Sequence, residues 1–422
     1  MDINQLLKGI DCKCGKRHEC RIQSVYVEKN AINRLQSILA DYNKVLIVAD
    51  ENTYGVCGEK VLAQLNDKQV KKVIFSGATV LVPNEDAISM VEKNLADSEI
   101  ILAVGSGVIQ DLCKYVSHFN KIPYIDVATA PSMDGYASDG AAMILGGMKE
   151  TVKAGLPISI IADTEVLRNA PMDMIKAGYG DVIGKFSALN DWKISNLING
   201  EYLCDFIYDL TFDQIQKCLS LAQGLKERNE DSIKSLMDAL VVIGILMSFA
   251  GSSRPASGSE HHLSHFFEIT GIVENKPYLS HGLDVAYSTV ITAKVREELL
   301  KIDFASAKTQ EDEDVRNQNI KNIYGCVAQG CIDLQKKIGN YAKYRYQIYA
   351  EKQTEIKNIL KEMPSSKEIE DMLSIAGLDI SEFYTLYGNK KIADAVKYAK
   401  DLKDRFSVLW LNYDLRDGKL DV

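Results

Sequence analysis

Residues 100–112 read Ile-Ile-Leu-Ala-Val-Gly-Ser-Gly-Val-Ile-Gln-Asp-Leu. An apolar run from Ile100 to Val104, with no polar alternation, predicts a strand buried on both faces, and Gly105 stops it. A helical pattern follows from about Val108 to Phe119. A strand that turns through glycine into a helix is the unit of a parallel sheet covered by helices. The flanking sequence repeats it. Lys44–Ala49 (KVLIVA) predicts a strand ending at Asp50, Lys72–Phe75 a second and Tyr124–Ala128 a fourth. Asn84 is placed to cap a helix through Ala96, with Glu85 and Asp86 in its first turn. Ala141–Leu145 and Thr151–Ala154 flank Gly146-Gly147 and predict a β-hairpin. Ile158–Ala162 (ISIIA) predicts one more buried strand, ending at Asp163.

After residue 164 the strand signals stop. Helical spacing predicts helices at 173–195, 211–226, 230–250, 258–270, 282–302, 313–337, 352–361, 366–375 and 391–404. The expectation is an α/β domain over residues 1–163 and a helical domain over 164–422. A chain of 422 residues is long for one core, which agrees with two.

The net charge of −9 argues against a nucleic-acid backbone as partner. No window approaches the roughly 18 uninterrupted apolar residues of a membrane span. The start, MDINQLLKGIDCK, lacks the basic and apolar regions of a signal peptide. Nine scattered cysteines, an odd number, fit a reducing compartment, and the cytoplasm is the expected location.

Four runs carry chemistry. Gly105-Ser106-Gly107 with Asp111 lies between a strand end and a helix start. There glycines admit a diphosphate and the helix N-terminus offers N–H donors; the alternative is a plain tight turn. Thr129–Ser138 (TAPSMDGYAS) also follows a strand end. Its Thr129, Ser132 and Ser138 suit phosphate or ribose and Asp134 a substrate hydroxyl, unless the run is only a polar surface loop. His261 and His265, four residues apart in EHHLSH, share one helical face, and His281 follows; such a group suits a metal. His262 is rotated about 100° away and is read as structural or exposed. Asp181 lies in AGYGDVIGK, where Gly178 and Gly180 are read as freeing the backbone ahead of a helix start, with Asp181 in the first turn. Lys185, one turn on, is read as a surface lysine, with a substrate phosphate as the other possibility. Cys12, Cys14, His18 and Cys20 (C-x-C-x3-H-x-C) also resemble a small zinc site, although the ligands are cramped and no second knuckle follows.

Together, GSGVIQD (105–111), TAPSMDGYAS (129–138), AGYGD (177–181), SGSEHHLSH (257–265) and SHG (280–282) resemble the iron-containing alcohol dehydrogenase and dehydroquinate synthase superfamily. Within it they are similar to the sn-glycerol-1-phosphate dehydrogenases of the bacterial AraM-like branch. The resemblance runs from about Lys44 to His281. It implies a Rossmann-like N-terminal domain, an all-helical C-terminal domain, and one divalent metal, zinc or in some members nickel. It places the metal on Asp181, His261 and His281, and the substrate against Asp134, Asp181 and His265, with Asp181 and His265 as the catalytic pair. The dinucleotide, NAD or NADP, would meet Gly105, Ser106, Gly107, Val108, Ile109, Gln110, Asp111, Thr129, Ala130, Pro131, Ser132 and Ser138. Asp50 would reach the adenosine ribose. The implied reaction is reduction of dihydroxyacetone phosphate to sn-glycerol 1-phosphate in a homodimer or larger homo-oligomer. Lys153, Lys185 and Arg254 are the candidates for holding the substrate phosphate. Val108 stands where a threonine or serine is common, and His262 where a leucine is usual. The rival readings are a glycerol or polyol dehydrogenase, a dehydroquinate synthase-like cyclase, and a nucleotide-binding protein that has lost catalysis.

Overall fold

The computed structural model describes residues 2–146, 148–305 and 311–421. The chain forms two compact units, Met1–Tyr179 with Gln216–Ser252, and Gly180–Ile215 with Ser253–Val422. The first therefore takes in a helical stretch, 216–252, beyond the α/β region, and the helix Met172–Asn199 contributes residues to both.

The first unit is built on six parallel strands: β1 (Ser24–Glu28), β2 (Lys44–Asp50), β3 (Gln69–Phe75), β4 (Ile100–Gly105), β5 (Tyr124–Ala128) and β6 (Ser159–Asp163). Their order is β1-β6-β5-β4-β2-β3. The central strands are mostly apolar, Asp126 in β5 being the chief exception, because helices cover both faces. On one face Leu46, Val48, Ile101 and Ala103 pack with Ile88 and Val91 of α1 (Glu85–Asn94) and with Leu112 and Val116 of α2 (Gly107–Asn120). On the other, Val45, Ile47, Leu102, Val104 and Ile125 pack with Leu35, Leu39 and Val61. Each such side chain stabilises by about 1.5–3 kcal/mol when fully buried. Asn84 caps α1 as expected, its side chain accepting from the Ala87 N–H.

The order reverses between β2 and β4: β3 lies outside β2, while β5, β6 and β1 continue beyond β4. Ligand crevices in such sheets open at the carboxyl ends of the strands flanking that point. Val45 pairs with Ile100 and Val48 with Ala103, which sets Asp50 and Gly105 at neighbouring strand ends. The hairpin is present as Gly140–Leu145 against Met148–Lys153, and Gly147 lies outside the described residues. β1 was not expected; its SVYVE pattern is short and alternating, as suits an edge strand.

The further long helices are α3 (Met172–Asn199), α4 (Asp205–Lys226), α5 (Glu230–Ala250), α6 (Ser259–Glu274) and α7 (His281–Lys301). Among the described residues α5 alone is long and apolar enough to cross a membrane, with mean hydropathy 1.9, yet 72% of that window is buried, as in a core helix. The second unit is helical throughout its described residues. The expected helix 313–337 is broken at Gly325 (φ +53°) into Glu313–Tyr324 and Ala328–Ile338, and the expected 391–404 helix runs only to Tyr398, after a kink at Gly388 (φ +69°), followed by a 3-10 turn over Ala399–Leu402. Val408–Arg416 is a helix that spacing missed, because it is apolar nearly all round.

Asp126 stands inside β5 with no exposure, and neither carboxyl oxygen has a hydrogen-bond partner among the described residues. Burial lifts its carboxyl well above the ordinary range; Lys114 opposes the lift and Asp111 adds to it. A raised folded-state pKa gives stability that is complete below the unfolded value and is lost as pH rises. Asp126→Asn keeps the shape without the titration. Its stability advantage over the parent chain should therefore grow between pH about 5 and about 8 in urea unfolding. A flat advantage over that range would mean the carboxylate is already ionised in the fold.

Candidate metal and dinucleotide sites

In the first unit, the turn from β4 into α2 is closed by its own side chains. Gln110 is buried and its amide donates to the carbonyls of Ala103 (3.2 Å) and Gly105 (3.0 Å). A Cβ on Gly105 would lie 2.6 Å from the Ile109 side chain, so only glycine fits beneath α2. Ser106 occupies the N-cap position of α2 without a side-chain capping bond. The N–H groups of the first turn are thus left for another acceptor.

The run 129–138 is pinned beside that turn. Thr129 N–H donates to the Gly105 carbonyl (3.1 Å) and the Tyr136 hydroxyl to Ala130 (2.7 Å). Lys114, fully buried on α2, donates to the carbonyls of Gly135 (2.9 Å) and Gly140 (3.0 Å) and pairs with Asp111 at 3.3 Å. The Ser138 hydroxyl donates to Gly135 (3.1 Å), and Asp134 is buried. Gly178, in α3, lets the helix backbone meet the Pro131 carbonyl, which a Cβ would drive into. The structure thus gathers Gly105–Asp111 and Thr129–Ser138 around the helix start. Asp50, at the end of β2, caps its own turn by accepting from Thr53 N–H (2.8 Å).

In the second unit, Asp181, His261 and His281 each offer a ligand atom, all within 4.8 Å of one another. Each comes from a different helix: Asp181 from α3, His261 from α6, His281 from the first residue of α7. His261 Nε2 stands 3.6 Å from Asp181 Oδ1. Its Nδ1 donates to Glu260 Oε1 at 2.7 Å, which turns the Nε2 lone pair toward Asp181. Glu260 also accepts from Gly258 N–H (2.8 Å) and has no exposure. Ser264 lies 3.3 Å from His281 Nδ1. His265 completes the cluster, its ring centroid 5.6 Å from that of His281 and 6.4 Å from that of His261. Two nitrogens and a carboxylate oxygen facing one point form a donor set for a divalent cation, and three protein ligands leave coordination open. Burial works to raise the Asp181 carboxyl, but Lys185, His261 and His281 outweigh it and bring it down to about 2.

Several expectations are corrected. Gly178 and Gly180 do not precede a helix, and Asp181 is not in a first turn; all three lie inside α3. The glycines are there for close approach, since a Cβ on Gly180 would lie 2.7 Å from the Gly282 carbonyl oxygen and 2.5 Å from Ala286 Cβ. Lys185 is not a surface residue. It has no exposure and holds Asp181 Oδ1 at 2.5 Å. Arg254 is buried against Glu201 through two bonds of 2.7 and 2.6 Å and donates to the Phe406 carbonyl, which commits it to the fold. Lys153 is exposed, 3.7 Å from Asp139. His262 is buried, and burial first, then Arg405, Lys403 and Arg254, holds its pKa well below the usual range. Of the pair, it is His261 whose ring offers an atom within reach of Asp181 and His281. Sequence reasoning gave Glu260 no role; its signal was an acidic residue directly before a ligand histidine.

Comparison with known proteins agrees with this geometry. Residues 26–171 match the family model for iron-containing alcohol dehydrogenases. A glycerol-1-phosphate dehydrogenase, NAD(P)+-linked, from Bacillus licheniformis is 30% identical over 97% of this chain and 94% of its own length. One from Geobacillus thermodenitrificans is 34% identical over 68% of this chain and 74% of its own. The structure of an iron-containing alcohol dehydrogenase from Thermococcus thioreducens superposes with a TM-score of 0.62, covering 94% of this chain and 98% of that one, at 15% identity. Likeness at that identity speaks for the fold, and the closer relatives speak for the family. The chain therefore belongs to the glycerol-1-phosphate dehydrogenase family, NAD(P)-linked oxidoreductases on the iron-containing alcohol dehydrogenase fold.

Proposed function

We propose that this chain reduces dihydroxyacetone phosphate to sn-glycerol 1-phosphate, reversibly, with NADH or NADPH. The observation that carries the reading is the Asp181–His261–His281 donor set, with Asp181 and His261 buried and His281 half-buried, in a chain of this family. In this reading residues 1–163 bind the dinucleotide, through Gly105–Asp111, Thr129–Ser132, Ser138 and the ribose partner Asp50. Residues 164–422 hold a single divalent cation, zinc or nickel. Asp134 and His265 meet the substrate.

Bound there, the cation supplies Lewis-acid polarisation of the carbonyl oxygen, and the dinucleotide supplies the hydride. The chain's own part is position and proton handling. Glu260 fixes the tautomer and aim of His261, and Ser264 steadies His281. Low exposure at Asp181 and His261 keeps bulk water away from the donors. In this reading His265, one turn beyond His261 on α6, delivers a proton to the substrate oxygen. A cytoplasmic homodimer or larger assembly completes the reading; among the described residues, which include all nine cysteines, none forms a disulfide.

The test strips the purified protein of metal, restores zinc or nickel, and follows NADH and NADPH oxidation. Metal-dependent oxidation with dihydroxyacetone phosphate and little with dihydroxyacetone is expected, with sn-glycerol 1-phosphate as product by chiral analysis. Preference for the unphosphorylated ketone would sink the reading in favour of a polyol dehydrogenase. Glu260→Gln should weaken metal affinity about 10–100-fold in competition with a chelator while the circular dichroism spectrum is retained. Unchanged affinity would remove Glu260 from the orienting role.

A further inference from the structure

The N-terminal hairpin holds a second group of metal donors, and nothing in the reaction above uses it. Ile10–Asp11 pairs antiparallel with Arg17–His18, and the loop between them folds back on itself. Cys12 N–H donates to the Lys16 carbonyl and Gly15 N–H to the Cys12 carbonyl, both at 3.0 Å, with Gly15 at φ +84°. This turn sets Cys12 and Cys14 beside His18, and their donor atoms lie within 4.8 Å of one another. Cys14 Sγ is 3.4 Å from His18 Nε2. Sulfur and nitrogen ligands on a tetrahedral zinc stand about 3.6 Å apart, given the usual bond lengths. Cys20, which the sequence spacing grouped with them, does not join; it is buried, and burial pushes its thiol up to about 11.

The histidine carries the second observation. His18 is 1% exposed, although histidine is only intermediate among residues in its tendency to be buried. Its Nδ1 lies 3.2 Å from the Phe249 carbonyl oxygen on α5, and its ring stacks on Phe249 at 5.3 Å with planes 14° apart. A carbonyl accepts only from a protonated nitrogen, so Nδ1 carries the proton and the Nε2 lone pair points at the cysteines. That is the arrangement of metal-ligating histidines, which donate their other N–H to a carbonyl or carboxylate. A thiol–imidazole hydrogen bond alone would explain Cys14 and His18 but would not gather Cys12 as well. Two strands of two residues each are too short to hold a hairpin unaided.

We propose that this hairpin is a thiolate metal site, with Cys12, Cys14 and His18 as donors for zinc or another thiophilic divalent cation. A donor from outside the hairpin completes the tetrahedron. The site is structural: it clamps the first 18 residues to α5 through His18, apart from the chemistry of Asp181, His261 and His281.

Cobalt tests it, because the Asp181–His261–His281 set contains no sulfur. The full chain is purified under reducing conditions, emptied of metal and loaded with Co(II). A near-ultraviolet thiolate-to-cobalt charge-transfer band is expected, with a second metal equivalent per chain. The band should vanish in Cys12→Ser and Cys14→Ser and persist in Cys20→Ser and in His281→Ala, which removes a donor of the other site. Absence of the band in the unaltered protein would overturn the proposal without recourse to any variant. Persistence in both Cys12→Ser and Cys14→Ser would do the same. Loss of dehydrogenase activity with the band intact would count against the reaction alone.

Discussion

The second unit is arranged around one costly group, the carboxylate of Asp181, which has no exposure and sits inside a helix rather than at its end. A buried carboxylate left alone costs several kcal/mol. It persists only where cations or donors surround it. Lys185, one turn along α3, meets it directly, and His261 and His281 approach from two other helices. That convergence depends on thin helices. Gly180 and Gly184 leave room for Gly282, Val285 and Ala286, so the backbones of α3 and α7 come close at the turn where Asp181 and His281 stand. A methyl group at either glycine would push His281 away from the carboxylate.

A second buried acid holds the frame. Asp191, ten residues further along α3, accepts from Ser259 N–H (2.6 Å) at the start of α6 and from Arg296 on α7 (2.7 Å), and also from Val408 N–H (2.9 Å). One side chain thus ties together the three helices that carry the metal donors. Burial disfavours the charge on both Asp191 and Arg296, which offsets much of their attraction. The pair contributes register more than net stability: α6 can begin only where its first N–H meets Asp191. That fixes which of two adjacent histidines, His261 or His262, faces the donor cluster.

The sequence showed the parallel sheet clearly, because its central strands are largely apolar on both faces and three of them end at glycine or aspartate. It also showed His261 with His265, since helical spacing is local. What it hid was tertiary. The glycines around Asp181 look like a turn until a neighbouring backbone explains them. Lys185 looks like a solvated lysine because spacing says which side it shares with Asp181 and nothing about depth. Arg254 looked able to hold a phosphate until Glu201 and the Phe406 carbonyl engaged its Nε and Nη2. β1, an edge strand, and Val408–Arg416, apolar nearly all round, have patterns that local periodicity does not separate from loop or core.

The charge around the donor set bears on what it can accept. Asp181 and Glu260 bring two buried carboxylates, and Lys185 brings one ammonium in direct contact with Asp181. Burial works to raise the Glu260 carboxyl, but the His261 hydrogen bond and charge and the Gly258 N–H hold it below the ordinary range. With both histidines neutral, as metal ligation requires, the cluster is short of one positive charge. A dication overcompensates by one. A site left one charge positive is matched to an oxygen that gains negative charge as a carbonyl is reduced. Lys185 sets that balance from 2.5 Å, and a neutral residue in its place would leave the cation more fully neutralised and the growing oxyanion less well met.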